Sequence, residues 1–251
     1  MATTQNRINT GLNVASTKDD SASYTIAQTL RGDVAGLSAV GSSLNRAKST
    51  VDVAVAGAEQ ISDLLNQMKA KAIQASDDGL DAGSRSAIDS DYAALKAQIG
   101  TIISSSSFNG TNLLKDDTTT TGRVSALQSL DTTSNLTVAN QAFDTAVTAG
   151  LGTTLSSKAN ADTALGEIAT VQAAVKTSLS TLGSASRKID GQLSFNSKLS
   201  DVIESGIGNL VDADLAKESA KLQALQVKQQ LGLQALSIAN QAPQSIMSLF
   251  R

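Results

Sequence analysis

The sequence predicts a mainly α-helical protein, an elongated antiparallel helical bundle or coiled coil with a small β-hairpin region. Two long stretches carry apolar residues at the 3.5-residue spacing of a coiled-coil seam. Aromatic residues make up only 2% of the 251 residues, and there is one proline. Small aliphatic side chains suit thin layers of closely packed helices, and the scarcity of proline leaves long helices unbroken.

The chain begins with a polar segment, residues 1–19, that predicts a short helical stub and an irregular connector around Gly11. The first seam then predicts a helix from Asp20 to Ala75, capped by Asp20 or Ser21 and ended by the turn residues of SDDGLDAGS. At about 1.5 Å per residue this helix would be roughly 80 Å long. All of its seam positions except Asp33 are apolar: Leu30, Leu37, Leu44, Val51, Ala58, Leu65, Ala72, Val40, Ala47, Ala54, Ile61, Met68 and Ala75.

A second helix is predicted from Ser84 to about Ile103, before a run of serines. Its apolar residues recur at steps of four and three, the spacing of one helical face. They are Ile88, Tyr92, Leu95, Ile99 and Ile102.

The middle of the chain, from Phe108 to about Ala159, changes character. Asn109-Gly110 is a strong turn signal, and RVSALQSL and NLTVAN are short β-prone runs, so two or three strands with loops are expected. The polar segment KDDTTTTG, beginning at Lys115, predicts a mobile, solvated tip.

A return helix follows over residues 161–211, antiparallel to the first, with the helix of residues 84–103 filling the groove between them. Asp212 is a candidate N-cap of the last helix. The return seam is interrupted by four polar residues, and its apolar positions are Leu165, Ile168, Val175, Leu179, Leu182, Ile189, Leu193, Ile203, Ile207 and Leu210.

The C-terminal helix, residues 212–251, has no charged residue between Lys228 and Arg251. Its apolar residues recur every eleven positions, a period that forms stripes on several sides of a helix. Its neutral amides disfavour a lipid environment. The pattern leaves two interpretations open, an amphipathic helix lying on its own domain or a self-assembly surface. The candidate polymerisation residues are Leu222, Leu225, Leu233, Leu236, Ile238, Ile246, Met247 and Leu249.

The composition disfavours catalysis and metal binding. The chain has no histidine and no cysteine, which removes the usual metal ligands, thiol nucleophiles and imidazole bases. No phosphate-binding glycine loop is present, and adjacent aspartates fall at predicted helix ends or in loops. The net charge of −3 argues against nucleic acid as a partner. We therefore expect no enzyme activity, no cofactor, no metal, no membrane span and no cleaved secretory signal.

Three segments resemble bacterial flagellin of the short type that lacks large outer domains. They are NRINTGLNVASTKDDSASYTIAQTLR near the start, SSFNGTNLL at the centre and ALSIANQAPQSIMSLFR at the end. The resemblance covers nearly the whole chain in the family's order. It implies a secreted structural subunit that polymerises into the extracellular flagellar filament and serves motility.

The resemblance also implies partners and a division of the chain. The partners are further copies of the chain, the flagellar export apparatus, a flagellin chaperone, the filament cap and the hook-associated proteins. Lys18, Asp19 and Asp20 would lie at the connector between the inner tube and the shell of the filament. The implied segments are a truncated inner-tube stub and connector (1–19), N-side shell helices (20–107), a small β-region with loops (108–160), a return helix (161–211) and an inner-tube helix (212–251).

Two further expectations follow from the resemblance. Flagellins carry more helical turns before a segment like Thr3 to Arg7, so the partner of the inner-tube helix is expected to be shortened here. Some flagellins are recognised by an animal Toll-like receptor through a helix that resembles Leu65 to Gln74, with an arginine and an apolar residue at the positions of Gln67 and Lys71. The equivalent positions, Leu65, Gln67 and Lys71, therefore imply weak recognition of this chain.

An alternative function belongs to a different class of protein. A hook–filament junction protein or another coiled-coil adaptor of the flagellum would share the paired terminal helices, but it would not form long polymers. The ANQAPQ tail and the SSFNGTNLL block favour the filament subunit.

Overall fold

The computed structural model describes residues 1–116 and 122–249, with side chains of the last helix described as far as residue 239. Within these residues the predicted fold class is confirmed, since long α-helices surround one small antiparallel sheet. The residues predicted to form the solvated tip lie partly in 117–121, outside the described residues. The elements are α1 (Ala2–Thr10), α2 (Ser21–Ala75), α3 (Ala82–Ser105), β1 (Val124–Leu127), β2 (Asn135–Val138), a π-helix (Asp144–Ala149), α4 (Lys158–Val211) and α5 (Leu215–Leu249).

The chain forms two compact units. One consists of Gly36–Lys198, and the other combines Met1–Ala35 with Leu199–Arg251. Both long helices, α2 and α4, contribute residues to each unit.

In the unit Gly36–Lys198, the predicted seam of α2 is the core. Every seam position from Leu37 to Ala75 is buried, and α4 supplies Ile168, Val175, Leu182 and Ile189 opposite them. Complete burial of a large aliphatic side chain stabilises a fold by about 1.5–3 kcal/mol, so the repeated seam dominates the stability of this unit.

Polar contacts show that α2 and α4 run antiparallel in this unit. Lys48 of α2 pairs with Asp190 of α4, whereas Asn66, further along α2, accepts a hydrogen bond from Gln172, earlier on α4 (3.0 Å). Buried Asn196 donates from Nδ2 to the carbonyl oxygen of Leu37 at 2.9 Å. A buried polar residue of this kind in a helical seam favours one register over others.

α3 packs into the same core through the predicted face, where Tyr92 and Ile99 are buried and Ile88, Leu95 and Ile102 are partly buried. Ile103, which is not among the predicted positions of that face, is also buried. It starts two residues earlier than predicted because Asp81 is its N-cap and accepts hydrogen bonds from the N–H groups of Gly83 and Ser84. The serine run ends it as expected, at Ser105.

The β-region contains the expected turn and two of the expected strands. Asn109 and Gly110 both have positive φ, 50° and 79°, and they close the pairing of Phe108 with Thr111. Positive φ at both central residues is the geometry that Asn-Gly adopts most readily. β1 pairs antiparallel with β2 from Val124↔Val138 to Leu127↔Asn135.

The loop prediction is wrong for Asp144–Ala149, which forms a π-helix. Phe143, Val147 and Leu151 recur at steps of four and are fully buried. Burial of these three side chains explains why this segment is helical. The segment is too short for the spacing of its apolar residues to predict a helix from the sequence.

The unit of Met1–Ala35 and Leu199–Arg251 has a small core. Among the side chains that the structure describes, its buried apolar residues are Val14, Ala27, Ile207 and Val211. The predicted N-cap of α5 is wrong in position, because Asp214, and not Asp212, accepts a hydrogen bond from the N–H of Lys217 at 3.0 Å. Asp212 lies two residues before Asp214 and instead pairs with Leu12 in an isolated β-bridge.

Candidate assembly surfaces

The connector before α2 is held by its two aspartates. Asp19 Oδ2 accepts hydrogen bonds from the N–H groups of Ala15 (3.1 Å) and Ser16 (3.0 Å), which closes a tight turn. Asp20 caps α2, since its Oδ1 accepts from the N–H groups of Ala22 (2.9 Å) and Ser23 (3.2 Å). Hydrogen bonds from the Ser23 hydroxyl and from these N–H groups lower the pKa of Asp20 below its ordinary value. Both carboxylates therefore shape the backbone of the connector.

Lys18, the third predicted connector residue, has an exposed side chain. Its backbone N–H donates to Ser16 Oγ at 3.3 Å. The three predicted connector residues thus lie in one turn, with the two acids engaged and the ammonium group directed to solvent.

The segment after α1 is tied to the junction between α4 and α5 by backbone hydrogen bonds. The N–H of Asn13 donates to the carbonyl oxygen of Val211 (2.7 Å), and the N–H of Ala213 donates to that of Gly11 (2.9 Å). Gly11 ends α1 with φ of 71°, a conformation that favours glycine. This tie joins residues some 200 positions apart, and no local pattern in the sequence marks such a pairing.

α1 also contacts α5 through an ion pair. Arg7 NH1 lies 3.2 Å from Glu218 Oε1, and the Glu218 side chain is 10% exposed. Lys221 Nζ lies 3.8 Å from the same oxygen, while Glu218 Oε2 is buried without a hydrogen-bond partner among the described residues. A buried carboxylate is costly unless paired, so Arg7 is the main group that compensates Glu218. The sequence gives no signal that singles out this pair.

Beyond Glu218, α5 presents its apolar side chains to solvent. Leu222 and Leu225 are half-buried, whereas Leu233 and Leu236 are each 65% exposed and Ile238 is 69% exposed. The side chains of the remaining predicted polymerisation residues, Ile246, Met247 and Leu249, lie outside the described ones. Leu233, Leu236 and Ile238 thus do not pack onto their own unit.

The three receptor-equivalent positions have different surroundings. Leu65 is fully buried in the α2 seam, so its side chain is not available to a partner. Gln67 is exposed. Lys71 Nζ lies 2.6 Å from Asp91 Oδ2 on α3, in an ion pair near the surface.

Aspartates that are adjacent in the sequence serve local structure. Asp77 accepts a hydrogen bond from the N–H of Gly79 (2.9 Å), and Asp78 pairs with Lys158 Nζ (2.6 Å). Asp116 accepts from the hydroxyl of Thr145 (2.8 Å). Across residues 1–116 and 122–249, no three carboxylates cluster in a way that could hold a metal ion.

The buried hydroxyl of Tyr92 is the most perturbed titratable group. Desolvation by burial, with the nearby charges of Glu167 and Asp89, raises the pKa of Tyr92 to about 12. The hydroxyl therefore keeps its proton at neutral pH. Its oxygen has no hydrogen-bond partner in the described part of the chain.

None of the helices within the described ranges combines the length and the apolar character needed to cross a membrane. The exposed apolar residues of α5 are separated by glutamines and serines, which is consistent with a protein environment for this helix.

Comparisons with known proteins agree on one family. Residues 1–119 match the model of the bacterial flagellin N-terminal helical region, and residues 163–250 match that of the C-terminal helical region. Flagellin FljK of Caulobacter vibrioides is 45% identical over 255 residues, which cover 100% of this chain and 91% of that protein.

Two solved structures are similar to the fold. A flagellin of Bacillus cereus aligns with a TM-score of 0.56 and 25% identity over 60% of this chain and 86% of its own. A protein of Vibrio parahaemolyticus, assigned as a flagellar hook-associated protein, aligns with a TM-score of 0.66 over 77% of this chain and 100% of its own, at 14% identity. The second likeness shows the shared fold alone.

Proposed function

The chain belongs to the bacterial flagellin family, and we propose that α5 carries the surface through which its copies assemble. Flagellins are structural proteins that polymerise into the extracellular flagellar filament, and this chain is a subunit of that kind.

The observation that carries the proposal is the exposure of Leu233, Leu236 and Ile238 on a helix that has no charge after Lys228. Transfer of apolar surface out of water stabilises an association by about 25 cal/mol per Å². Val227 and Leu231 are exposed on the same helix, and a concentration of exposed large apolar side chains is typical of an interaction site. Because the eleven-residue period places apolar residues on several sides of α5, one helix can contact more than one neighbouring copy.

The same proposal assigns the segments of the chain. Residues 212–251 form the inner-tube helix, residues 1–19 form its short partner and the connector, and residues 20–107, 108–160 and 161–211 form the shell. Lys18, Asp19 and Asp20 mark the connector. The turn held by Asp19 and the cap supplied by Asp20 support this assignment, because they give the chain a defined bend before α2.

The family also suggests the partners met before assembly. We propose that the chain is secreted through the flagellar export apparatus and is bound by a flagellin chaperone before secretion. We also propose that it contacts the filament cap and the hook-associated proteins. The exposed apolar residues of α5 support a chaperone, because such a surface is prone to unspecific association until its final partners cover it.

A junction or adaptor role is not favoured. The family models and the relative at 45% identity are flagellins, while the hook-associated protein of Vibrio parahaemolyticus is 14% identical. The two classes share the fold, so the fold does not separate them.

The substitution Leu236→Asp tests the proposal. Assembly would desolvate the new carboxylate without a counter-ion, which costs several kcal/mol in every copy of a polymer. Polymerisation of each protein is seeded with filament fragments, and the products are viewed by negative-stain microscopy. We expect the wild-type chain to form filaments and the Leu236→Asp variant to form none. Circular dichroism should show equal helix content in both monomers.

The control is Gln234→Asp, which adds the same charge to α5 at a polar position between the stripes. This variant should still form filaments, at reduced yield. Normal filaments from Leu236→Asp would show that the stripe is no interface, and loss of filaments from both variants would show that the contacts are not confined to the stripes.

A further inference from the structure

The turn at Asn109-Gly110 places an exposed carboxamide beside a backbone nitrogen that no side chain shields. Asn109 is the only asparagine of the sequence that precedes a glycine. Both residues are exposed, and a Cβ built on Gly110 would meet nothing within 4 Å. Among the described residues, no hydrogen bond engages the Asn109 carboxamide or the Gly110 N–H. The two groups are therefore accessible to solvent and to each other.

Asn112, three residues further on, is held in the opposite way. Its Nδ2 donates to the carbonyl oxygen of Ile103 at 2.7 Å. Its Oδ1 accepts from the N–H groups of Leu114 and Lys115, each at 2.9 Å. The residue that follows it, Leu113, has a fully buried side chain. A carboxamide fixed by three hydrogen bonds has to break them before it can turn toward its own backbone, so this asparagine is protected.

The turn is held weakly enough to open. Within the described residues its backbone is closed by two hydrogen bonds, Phe108 N–H to Thr111 O (2.9 Å) and Thr111 N–H to Phe108 O (3.0 Å). This pairing is an isolated bridge and not part of a longer ladder. Asn109 has φ of 50°, which is less favourable for asparagine than for glycine. Exposed turns with few hydrogen bonds open locally at a low cost in free energy. Opening lets the Gly110 nitrogen approach Cγ of Asn109.

The turn borders a groove of about 410 Å³ that contains two guanidinium groups. Arg46 of α2 and Arg123, directly before β1, line this groove together with Asn109. None of the described residues that line it is acidic. Positive groups stabilise a negative charge that develops next to them. The groove therefore favours both the oxyanion formed by attack on the carboxamide and a carboxylate at position 109.

We propose that Asn109 is a site of spontaneous deamidation, and that the groove of Arg46 and Arg123 promotes the reaction and accommodates the carboxylate it forms. The Gly110 nitrogen attacks Cγ of Asn109, and a C–N bond forms. The proton of that nitrogen passes through water to the amide NH₂, which leaves as ammonia when its C–N bond breaks. The product is a cyclic succinimide.

Water then opens the succinimide ring at one of its two carbonyl groups. Attack at the side-chain carbonyl gives aspartate, and attack at the main-chain carbonyl gives isoaspartate. The net reaction consumes one water and releases one ammonia, and it needs no enzyme, oxidant or cofactor. Each event adds one negative charge to a chain whose formal net charge is −3.

The two products differ in their effect on the turn. Aspartate keeps the backbone unchanged and places its carboxylate at the groove. Isoaspartate adds one carbon atom to the backbone, which disrupts the pairing of Phe108 with Thr111, because that pairing spans two residues. The site lies in the unit Gly36–Lys198 and involves neither α1 nor α5, so it is independent of the assembly role proposed above.

The test is to keep the monomeric wild-type chain at mildly alkaline pH and to follow Asn109 and Asn112 by peptide mass spectrometry. Chromatography separates the aspartate and isoaspartate peptides, with Asn109→Asp as the aspartate standard. We expect Asn109 to react at least about tenfold faster than Asn112, the factor that corresponds to the loss of one hydrogen bond. Equal rates for the two asparagines would overturn the proposal. So would an unmodified Asn109 over a time in which the synthetic peptide of residues 106–114 reacts completely.

The role of the groove is tested by a pair of variants that leave the turn untouched. Arg46→Met should slow deamidation of Asn109 about threefold, because Arg46 is exposed and its charge is screened by solvent. The matched control Lys48→Met removes a cation from the same helix that pairs with Asp190 and does not line the groove. It should react at the wild-type rate. Equal rates for the Arg46 and Lys48 variants would overturn the role assigned to the groove.

Discussion

Gln67 and Lys71 lie one turn apart on α2, and only Lys71 has a charged partner. Its ammonium group is 2.6 Å from a carboxylate oxygen of Asp91. Gln67 is exposed and uncharged. A partner that binds this face would have to separate Lys71 from Asp91 or bury both charges, and it would find no guanidinium at position 67. Leu65 does not contribute to this surface, because its side chain is fully buried.

These surroundings lead to a prediction about receptor recognition. We expect the chain to be a weak agonist of the flagellin-sensing Toll-like receptor, and the double variant Gln67→Arg, Lys71→Leu to be about a hundredfold more potent. A reporter-cell titration of the two proteins measures the difference. The single variant Asp91→Asn, which releases Lys71 without adding an arginine, is the control and should gain little. Equal potency of the unchanged chain and the double variant would contradict the prediction.

At the scale of elements, α1 and α5 form a short helix pair around one buried carboxylate. Up to residue 239, Thr4 and Glu218 are the buried polar residues of the two helices. Arg7 reaches Glu218 from α1, and Lys221 reaches it from the solvent side of α5 with a 55% exposed side chain. Glu218 is 10% exposed in contact with Arg7, so we expect the loss of Arg7 to leave an incompletely compensated charge in the helix contact.

Substitution of Arg7 by methionine should therefore destabilise this unit by about 1–2 kcal/mol, a value reduced from that of a fully buried pair because Arg7 remains partly exposed. Urea unfolding followed by the hydrogen exchange of α1 amides measures it. Lys221→Met removes a more distant and exposed cation and should cost less than about 0.5 kcal/mol. The second substitution Glu218→Gln should restore most of the stability lost by Arg7→Met. An additive outcome for that double variant would mean that the two side chains are not coupled.

At the scale of the whole molecule, the two units have cores of very different size. The unit Gly36–Lys198 buries an uninterrupted seam with contributions from α2, α3, α4 and the β-region. The unit of Met1–Ala35 and Leu199–Arg251 has, as far as its side chains are described, four buried apolar residues in its core cluster. Ordering a residue costs about 1–2 kcal/mol of backbone entropy, and the exposed part of α5 buries too little surface to offset that cost.

We therefore predict that the isolated chain exchanges amide hydrogens far faster in the segment Val227 to Ile238 than in the segment Leu44 to Ala72. The difference should be at least about a hundredfold. Hydrogen–deuterium exchange with mass spectrometry measures both segments in one experiment. In filaments the α5 segment should become protected, while the seam changes little. Equal protection of both segments in the monomer would refute the idea that α5 depends on other copies for its stability.

Patterns that repeat along one helix could be interpreted from the sequence alone. The buried seam from Leu37 to Ala75 was predictable because apolar residues at a 3.5-residue spacing lie on one side of α2. That side is buried whichever helix packs against it. Asn109-Gly110 defined its turn because few residues adopt positive φ easily. The absence of histidine and cysteine limited the chemistry, and three local segments identified the family.

The tertiary structure decided the features that depend on residues far apart in the chain. Glu218 is buried against Arg7, Ala213 binds Gly11, and Leu127 of β1 donates to Ser43 of α2. The sequence also indicated stripes on α5 without determining whether they lie on their own unit, and the structure leaves Leu233, Leu236 and Ile238 exposed. The spacing of apolar residues along a helix shows which face of that helix will be buried. It does not show which residues cover that face, because those residues can lie some 200 positions away in the chain.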